Sequence, residues 1–287
     1  MQTIGYIGLG IMGKPMALNL LRKNYSVSIY ARRPETAIAL IEAGATNYAS
    51  PAELAPHVDI IITNLPTTAD VEEVLVGKQG IIHTAKPGTI VIDMSTISPV
   101  GTRRLAQLLE KSQIEMLDSP VSGGEQGAID GTLVLMVGGK ASILEKVRPI
   151  LEILGSKIVH IGEHGAGQIA KACNQIIIAE TVIAVSEALH LAEASGVDPA
   201  KVREALLGGF ASSRILEIHG KRMLEQDYTP GFKAGLHCKD LHMALEQAHQ
   251  VNVNLTGAQH AMKCLDRLVK KGHSDLDSSA LHLVTEE

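Results

Sequence analysis

Aromatic side chains and cysteines are scarce in this sequence of 287 residues. It has no tryptophan, two phenylalanines and five tyrosines, so its core must be built mainly from aliphatic side chains and methionine. Its three cysteines, Cys173, Cys238 and Cys264, lie far apart, and none belongs to a CxxC pair. This pattern excludes a disulfide framework and a zinc knuckle, and it indicates reduced thiols in a cytosolic compartment.

An excess of positive charge and long apolar runs are absent as well. The formal net charge is -5, and lysines and arginines form no basic patch, so we expect no nucleic-acid partner. No apolar run approaches the roughly 20 residues that cross a bilayer. The N-terminal residues also lack a signal-peptide pattern. The sequence therefore predicts a cytoplasmic protein with no membrane partner.

Two kinds of catalytic motif are missing too. No G-x-S-x-G elbow is present, which weighs against a hydrolase. Among the 12 histidines, His242 lies four residues after Cys238 and could share a metal with it, but no HExxH-type set accompanies the pair. The sequence predicts no metal site.

The first half of the chain alternates short apolar runs with segments of helical spacing. Nearly continuous apolar runs are typical of strands buried on both faces, and their alternation with helices predicts a parallel, doubly wound α/β sheet of the Rossmann type. The predicted strands cover residues 3–9, 26–32, 59–65, 89–94, 115–121, 132–138 and 157–161.

The pattern changes near residue 162. Residues 165–194 form one Ala- and Ile-rich helical pattern with few polar residues, which predicts a long helix buried on most sides. Asp198 and Pro199 are typical of the start of another helix. The further helical segments cover residues 198–207, 213–226, 235–250 and 256–270. The sequence thus predicts a dinucleotide-binding domain over residues 1–162 and an all-helical domain over residues 163–287.

A glycine motif follows the first predicted strand and opens a helical segment. It fits the pattern G-x-G-x-x-G, and its residues are Gly8, Leu9, Gly10, Ile11, Met12 and Gly13. In that setting the first glycine permits a tight turn, the second lets the backbone approach a pyrophosphate, and the third lets helix and strand pack closely. The alternative is a turn that uses its glycines for packing alone.

The end of the second predicted strand bears on the choice of cofactor. It carries Ala31, Arg32 and Arg33, with no acid where NAD enzymes usually hold the ribose hydroxyls. A guanidinium can bind the additional phosphate of NADP with parallel hydrogen bonds. The sequence therefore favours NADP as the cofactor, and NAD stays possible. The alternative interpretation is that the two arginines face water and bind no cofactor.

A serine and two glycines follow the fifth predicted strand. Ser122, Gly123 and Gly124 should lie at the carboxyl edge of the sheet, where open α/β sheets bind ligands. A hydroxyl beside two glycines can present consecutive backbone N–H groups to a carboxylate. The alternative is a Gly-rich turn that binds nothing.

Lys171 falls near the start of the long predicted helix, with Asn174 one turn later on the same face. A lysine beside a positive helix end and among small apolar residues should have a lowered pKa, which suits proton transfer with an alcohol. A lysine that extends from a buried helix to solvent explains these residues equally well. Lys239 and Asp240 lie on a later predicted helix, and their simplest interpretation is that they form a charge pair exposed to solvent.

Taken in order, four motifs resemble the β-hydroxyacid dehydrogenase family over almost the whole chain. They are residues 7–16, residues 118–124, Gly165-Ala166-Gly167 with Lys171 and Asn174, and Gly231-Phe232 with Lys239-Asp240. The resemblance implies a Rossmann-type domain and an all-α domain, with a long interdomain helix that carries a catalytic lysine.

The same resemblance implies a role for each motif. Lys171 would be the catalytic acid and base, assisted by Asn174. The substrate carboxylate would be bound by Ser122, Gly123 and Gly124, with Asn174 and Lys239 nearby. Further residues would border the cofactor beside the glycine motif and the arginines, namely Leu65, Pro66, Ser95, Thr96, Phe232 and Lys239.

The implied activity is NAD(P)H-dependent reduction of a small carboxylated aldehyde, with Lys171 as proton donor. Asn174-Gln175 and residues 123–133 favour tartronate semialdehyde (2-hydroxy-3-oxopropionate), reduced to D-glycerate. Oxidation of 3-hydroxyisobutyrate and reduction of glyoxylate or succinic semialdehyde stay open. The alternative from another functional class is a dinucleotide-binding sensor without catalytic activity. The presence of Lys171 argues against it. An apolar helical domain this small also predicts a homo-oligomer, either a dimer or a tetramer.

Overall fold

The computed structural model describes residues 2–285. The chain divides into two compact units, Met1–Lys171 and Ala172–Glu287. The division lies inside the long helix, whereas the sequence places a domain boundary at residue 162, which stays a prediction.

The N-terminal unit is built on a sheet. Within its described residues, nine strands pair in the order β3-β2-β1-β4-β5-β6-β8-β7, with β9 beside β8. The strands are β1 (Ile4–Ile7), β2 (Val27–Tyr30), β3 (Thr46–Tyr48), β4 (Ile60–Thr63), β5 (Ile90–Asp93), β6 (Glu115–Asp118), β7 (Val121–Ser122), β8 (Leu133–Gly138) and β9 (Gly155–Gly162).

Helices cover both faces of this sheet. They are α1 (Gly13–Arg22), α2 (Ile38–Glu42), α3 (Pro51–Leu54), α4 (Thr68–Val76), α5 (Pro99–Glu110), α6 (Gly124–Asp130) and α7 (Ala141–Leu154). Ile60 and Ile62 join the core that contains α1 and α7, whereas Ile61 joins the core that contains α4 and α5. The prediction of strands buried on both faces is therefore confirmed, because alternate residues of one strand enter different cores.

The direction of the last strands differs from the prediction. Strands β1 to β6 pair in parallel, but β8 runs antiparallel to β6 and β7. The predicted strand over residues 115–121 is divided at Ser119 and Pro120, since proline cannot donate to a strand ladder. The chain then returns through α6, too short a connection for the usual parallel crossover. The edge strand β3 was not predicted, because its residues are polar and mostly exposed.

The C-terminal unit is helical, and its predicted helices are confirmed within a residue or two at each end. The long helix α8 (Ala166–Ala194) continues from the N-terminal unit and is followed by α9 (Pro199–Leu207), α10 (Arg214–Glu225), α11 (Ala234–Gln250) and α12 (Thr256–Lys270). A 3-10 helix over Ser278–Leu283 ends the described part. The core includes Ala179 and Val182 of α8 together with Leu241 and Leu265.

Helix α8 is covered on most of its sides, as the sequence predicts, and exposed along one face. Its 29 residues are long and apolar enough to cross a bilayer by length and composition alone, a test that core helices of soluble proteins also pass, and 44% of its most apolar window is buried. The exposed residues alternate at spacings of four and three, which places them on one face: Cys173, Ile177, Glu180, Ala184, Glu187 and Leu191. The expectation of burial on most sides is therefore confirmed, and one face, which includes Ile177 and Leu191, stays largely exposed.

Candidate functional site

The glycine motif forms the turn between β1 and α1. Gly8 has a φ of 106°, and a Cβ there would collide with the carbonyl oxygen of Asn64, just after β4. A Cβ on Gly13 would collide with the carbonyl oxygen of Gly8, whereas one on Gly10 would meet nothing within 4 Å. The first and third glycines thus serve the packing of the chain, and Gly10 leaves open space where a ligand can approach the backbone.

The end of α1 that this turn opens is suited to an anion. Among the described residues no side chain caps α1, and its first turn has no acid. Its positive end and unused N–H groups can therefore receive a pyrophosphate. The turn lies where the strand order reverses between β1 and β4, the usual ligand position in an open α/β sheet. Leu9, Ile11 and Met12 belong to the same turn.

The two arginines after β2 are exposed and weakly paired. Arg32 Nη1 lies 3.4 Å from Asp70 Oδ1, and Arg33 Nε lies 4.0 Å from Glu35 Oε1. The side chains of Arg32 and Arg33 are 78% and 70% exposed. Such guanidinium groups can turn towards a phosphate without breaking a strong ion pair, since exposed ion pairs contribute little to stability. Ala31 offers no side-chain acceptor for ribose hydroxyls.

A buried aspartate organises the loops after β4 and β5. Thr63 Oγ1 donates to Asp93 Oδ1 at 2.8 Å, and the backbone N–H of Ser95 donates to the same oxygen at 3.1 Å. Ser95 Oγ in turn accepts from the N–H of Leu65 at 2.8 Å. Burial raises the pKa of Asp93 to about 6, against the hydrogen bonds from Ser95 and Thr63. This carboxyl group therefore fixes the segments that carry Leu65-Pro66 and Ser95-Thr96, and no sequence motif pointed to it.

A second buried aspartate holds the start of α8. Asp118 Oδ1 accepts from the N–H of Gly165 at 2.8 Å, and Oδ2 accepts from the N–H of Gln168 at 3.1 Å. Burial raises the pKa of Asp118, while these backbone donors act in the opposite direction. The Gln168 amide donates to the carbonyl of Ser95 at 2.9 Å and accepts from the N–H of Ile97 at 3.1 Å. The first turn of α8 is thus fixed to the ends of β5 and β6.

Lys171 lies beside the Ser122 turn. Its side chain is largely buried, and Nζ donates to the carbonyl oxygen of Val121 at 2.9 Å. Gly123 and Gly124 follow with φ values of 135° and 67°, in the region that favours glycine. The structure therefore brings Lys171 together with the Ser122 turn, two features that lie far apart in the sequence. A buried ammonium next to a turn of this kind makes a local environment for a negative or partly negative oxygen.

In the C-terminal unit, the predicted residues Asn174 and Lys239 are connected by a row of side-chain hydrogen bonds and an ion pair. Asn174 Nδ2 donates to Gln175 Oε1 at 2.8 Å, and Gln175 Nε2 donates to Asp240 Oδ2 at 2.7 Å. Lys239 Nζ lies 3.0 Å from Asp240 Oδ1. Gln175 and Asp240 are buried, so Lys239-Asp240 is not the solvated pair that the sequence most simply predicts. Gln175 and Asp240 are the members that connect the two predicted residues.

The segment around Phe232 is held by Asp277. Asp277 Oδ2 accepts from the N–H groups of Gly231 and Phe232 at 2.9 and 3.0 Å. The ring of Phe232 lies tilted against that of His237, with 5.6 Å between centroids. His237 Nε2 lies 3.2 Å from the carbonyl oxygen of Gln175. This position of Phe232 therefore depends on an aspartate more than 40 residues away in the sequence.

Two family models match successive parts of the chain. The NAD binding domain of 6-phosphogluconate dehydrogenase matches residues 3–162. The model described as NAD-binding of NADP-dependent 3-hydroxyisobutyrate dehydrogenase matches residues 165–284. Together these matches cover nearly all described residues.

Similar proteins match at full length. The 2-hydroxy-3-oxopropionate reductase of Escherichia coli K12 is 45% identical over 280 residues, which cover 98% of this chain and 96% of that protein. The NAD-dependent L-serine dehydrogenase of Pseudomonas aeruginosa is 35% identical over 98% of this chain and 97% of its own length. The Mycobacterium tuberculosis 3-hydroxyisobutyrate dehydrogenase with L-serine has a TM-score of 0.91 and 33% identity, with both chains fully covered. The chain therefore belongs to the β-hydroxyacid dehydrogenase family, whose enzymes act on the CH–OH group of small hydroxyacids with a nicotinamide cofactor.

Proposed function

We propose that this enzyme reduces a small carboxylated aldehyde and that its substrate is tartronate semialdehyde, which it converts to D-glycerate. The position of Lys171 carries the proposal. A largely buried ammonium lies 2.9 Å from the Val121 carbonyl, directly before the Ser122 turn. The 45% identity to 2-hydroxy-3-oxopropionate reductase supports the choice of substrate.

In this proposal Lys171 moves the proton. The bound nicotinamide supplies the hydride that reaches the aldehyde carbon. Lys171 Nζ exchanges its hydrogen bond with Val121 for one with the aldehyde oxygen, and it donates a proton as that oxygen gains negative charge. In the reverse direction the neutral amine takes the hydroxyl proton. Reduction thus consumes one hydride and one proton and leaves Lys171 as an amine, which solvent protonates again.

The Ser122 turn is our proposed site for the substrate carboxylate. The Ser122 hydroxyl and the backbone N–H groups around Gly123 and Gly124 can donate hydrogen bonds to it, and charged acceptors make such bonds stronger. We propose that Asn174 contributes a further hydrogen bond to the substrate. Lys239 is our second candidate for contact with substrate and cofactor, and Asp240 would hold its ammonium in place.

The cofactor is assigned to the glycine turn and the loops after β2, β4 and β5. The open space at Gly10 and the uncapped start of α1 fit a dinucleotide pyrophosphate. Residues 1–162 would form its domain, and residues 163–287 would form the helical domain, in line with the matches over 3–162 and 165–284. Phe232 is our candidate for a further cofactor contact.

We infer a preference for NADP from Arg32, whose exposed guanidinium can bind the additional phosphate. Arg32→Ala should weaken NADPH binding by about tenfold and leave NADH unchanged, because a charge-assisted hydrogen bond contributes about 1.5–3 kcal/mol. Fluorescence titration with both cofactors measures this. Arg148→Ala, which removes another surface arginine, is the control and should change neither affinity. Equal weakening of both cofactors would contradict the assignment.

We also infer a soluble, cytoplasmic homo-oligomer. Its support is apolar surface in the C-terminal unit, where Phe210, Leu191 and Ile177 are all strongly exposed. Large exposed apolar side chains can mark an interaction surface, and a second copy would cover part of them. Light scattering on the purified protein would show a dimer or tetramer, and a monomer at micromolar concentration would contradict this inference.

Steady-state kinetics with a substrate panel tests the function. The panel contains tartronate semialdehyde, glyoxylate, succinic semialdehyde, 3-hydroxyisobutyrate and L-serine, each with both cofactors. We expect the highest kcat/KM for tartronate semialdehyde with NADPH. A higher value for another member would reassign the substrate within the family. NADPH binding with no turnover of any member would favour the sensor and overturn the proposal.

A further inference from the structure

Three potential metal ligands that have no part in the proposed reaction meet between α11 and α12. Cys238 and His242 lie one turn apart on α11, and Asp266 lies on α12. Asp266 Oδ1 lies 3.6 Å from Cys238 Sγ and 3.5 Å from His242 Nε2. The three ligand atoms lie within 4.8 Å of one another. We propose that they bind one divalent ion of the zinc class.

The separations suit tetrahedral coordination. With metal–sulfur bonds of about 2.3 Å and metal–nitrogen or metal–oxygen bonds of about 2.1 Å, neighbouring ligand atoms of a tetrahedron lie roughly 3.4–3.6 Å apart. The two distances to Asp266 have these values, so an ion needs only small side-chain rotations. The side chains of His242 and Asp266 are 59% and 39% exposed, which leaves an approach for the ion and room for a water as fourth ligand.

The ligand types select the metal. A thiolate, an imidazole and a carboxylate together are a zinc donor set, whereas magnesium and calcium prefer oxygen alone. Binding replaces the thiol proton of Cys238 with the ion, and the proton passes to solvent. The ion would connect α11 to α12 at the residue before Lys239. It would therefore act as a structural clip for the helix that carries Lys239 and Asp240.

A second cysteine–histidine pair on α12 has surroundings that would repel an ion. His260 and Cys264 have the same spacing on α12, with 3.9 Å between Nε2 and Sγ. There, however, Arg267 Nη2 lies 3.4 Å from Cys264 Sγ and places a positive charge where an ion would have to bind. Glu187 Oε1 also lies 3.9 Å from His260 Nε2, so both pairs have a carboxylate neighbour. The guanidinium of Arg267 is therefore what separates the second pair from the first.

Cobalt titration of the metal-free protein tests the site. We expect a thiolate-to-cobalt charge-transfer band that saturates at one equivalent and that zinc abolishes by displacement. Cys238→Ser should lose the band, and His242→Gln and Asp266→Asn should weaken cobalt binding at least tenfold. His260→Gln and Cys173→Ser are the matched controls and should bind as the wild type does. Zinc should also raise the melting temperature of the wild type but not of His242→Gln.

The titration can overturn the site without reference to turnover. Absence of the band at a tenfold excess of cobalt would do so. A band that survives in Cys238→Ser would place the metal on another cysteine. If Cys238→Ser fails to fold, His242→Gln decides the matter, because its exposed side chain can be replaced without disturbing the core. Unchanged cobalt affinity in that variant would refute the proposal.

Discussion

The two units of the molecule hold their polar site residues in different ways. In the N-terminal unit most contacts involve backbone atoms, since glycine turns place the groups, buried Asp93 and Asp118 accept from backbone N–H groups, and Lys171 donates to a main-chain carbonyl. In the C-terminal unit it comes from side chains, which pass from Asn174 through Gln175 and Asp240 to Lys239.

This difference predicts different responses to mutation. A site built on backbone should lose only the function of the side chain that is removed, because its neighbours keep their positions. A chain of buried side chains should respond at several members when one is replaced, since each partner left behind is buried and unsatisfied.

Lys171→Ala should lower kcat by about 10²–10⁴, the usual contribution of a positioned acid or base. NADPH affinity should not change, because the glycine turn does not use this side chain. Stopped-flow turnover and fluorescence titration measure the two quantities. Lys140→Ala, which removes an exposed lysine of the same unit, should leave both unchanged. Turnover within a few-fold of wild type would remove the acid–base role.

Asp277→Asn should lower the free energy of unfolding by about 3–5 kcal/mol, as expected when one partner of a buried ion pair is removed. Asp277 accepts hydrogen bonds from Gly231 and Phe232, and one of its oxygens lies 3.1 Å from Arg222 Nη1. Urea denaturation measures the loss. Asp227→Asn removes an exposed carboxylate nearby and should cost far less, so equal losses would contradict the role of Asp277.

The same aspartate should make the free energy of unfolding fall at acidic pH. Burial raises the pKa of Asp277, but hydrogen bonds from His219, Phe232 and Ser279 outweigh it and hold the pKa well below its usual range. The stabilisation is therefore present above the unfolded-state pKa of about 4 and is lost as pH falls below it. Asp277→Asn should lack this part of the acid-induced loss.

Asp93 should give the wild type the opposite pH dependence in the N-terminal unit, and Asp93→Asn should lack it. The pKa of Asp93 is raised to about 6 by burial, so the folded state binds its proton more tightly than the unfolded chain does. Its contribution is largest below pH 4 and is lost as pH rises to 6. Relative to Asp93→Asn, the wild type should lose about 2 kcal/mol between pH 4 and pH 7. Parallel stability curves for the two proteins would contradict this.

Gln175→Met should raise the KM for substrate about tenfold, which corresponds to about 1.4 kcal/mol. The change removes the link between Asn174 and Asp240 while it keeps a side chain of similar length. Gln259→Met, at an exposed position of α12, should match the wild type. A loss of kcat with unchanged KM would contradict a positioning role for Gln175.

The contrast also explains what the sequence could predict. The glycine motif and the Ser122 turn are local patterns, and the structure places each at a strand end, as their spacing predicts. The side-chain links between Gln175 and Asp240, and between Phe232 and Asp277, join residues far apart in the chain. No local pattern encodes such pairs, since only packing decides which side chains meet.

For the same reason, two features of the fold could not be predicted from local sequence patterns. The antiparallel direction of β8 depends on how the chain returns after Pro120, which apolar periodicity does not record. The exposed face of α8 carries Ile177 and Leu191, so composition alone predicts burial there. Exposure depends on which neighbours the helix has, and the described chain leaves Ile177 and Leu191 largely uncovered.

Rescue of Lys171→Ala by small amines tests most directly the claim that Lys171 donates the proton. Ethylammonium can place an N–H in the space that the lysine side chain leaves, whereas tetramethylammonium carries the same charge and no such proton. We predict that kcat of the variant rises linearly with ethylammonium concentration and does not respond to tetramethylammonium. Equal rates with the two cations, in a variant that still binds NADPH, would contradict proton donation by Lys171.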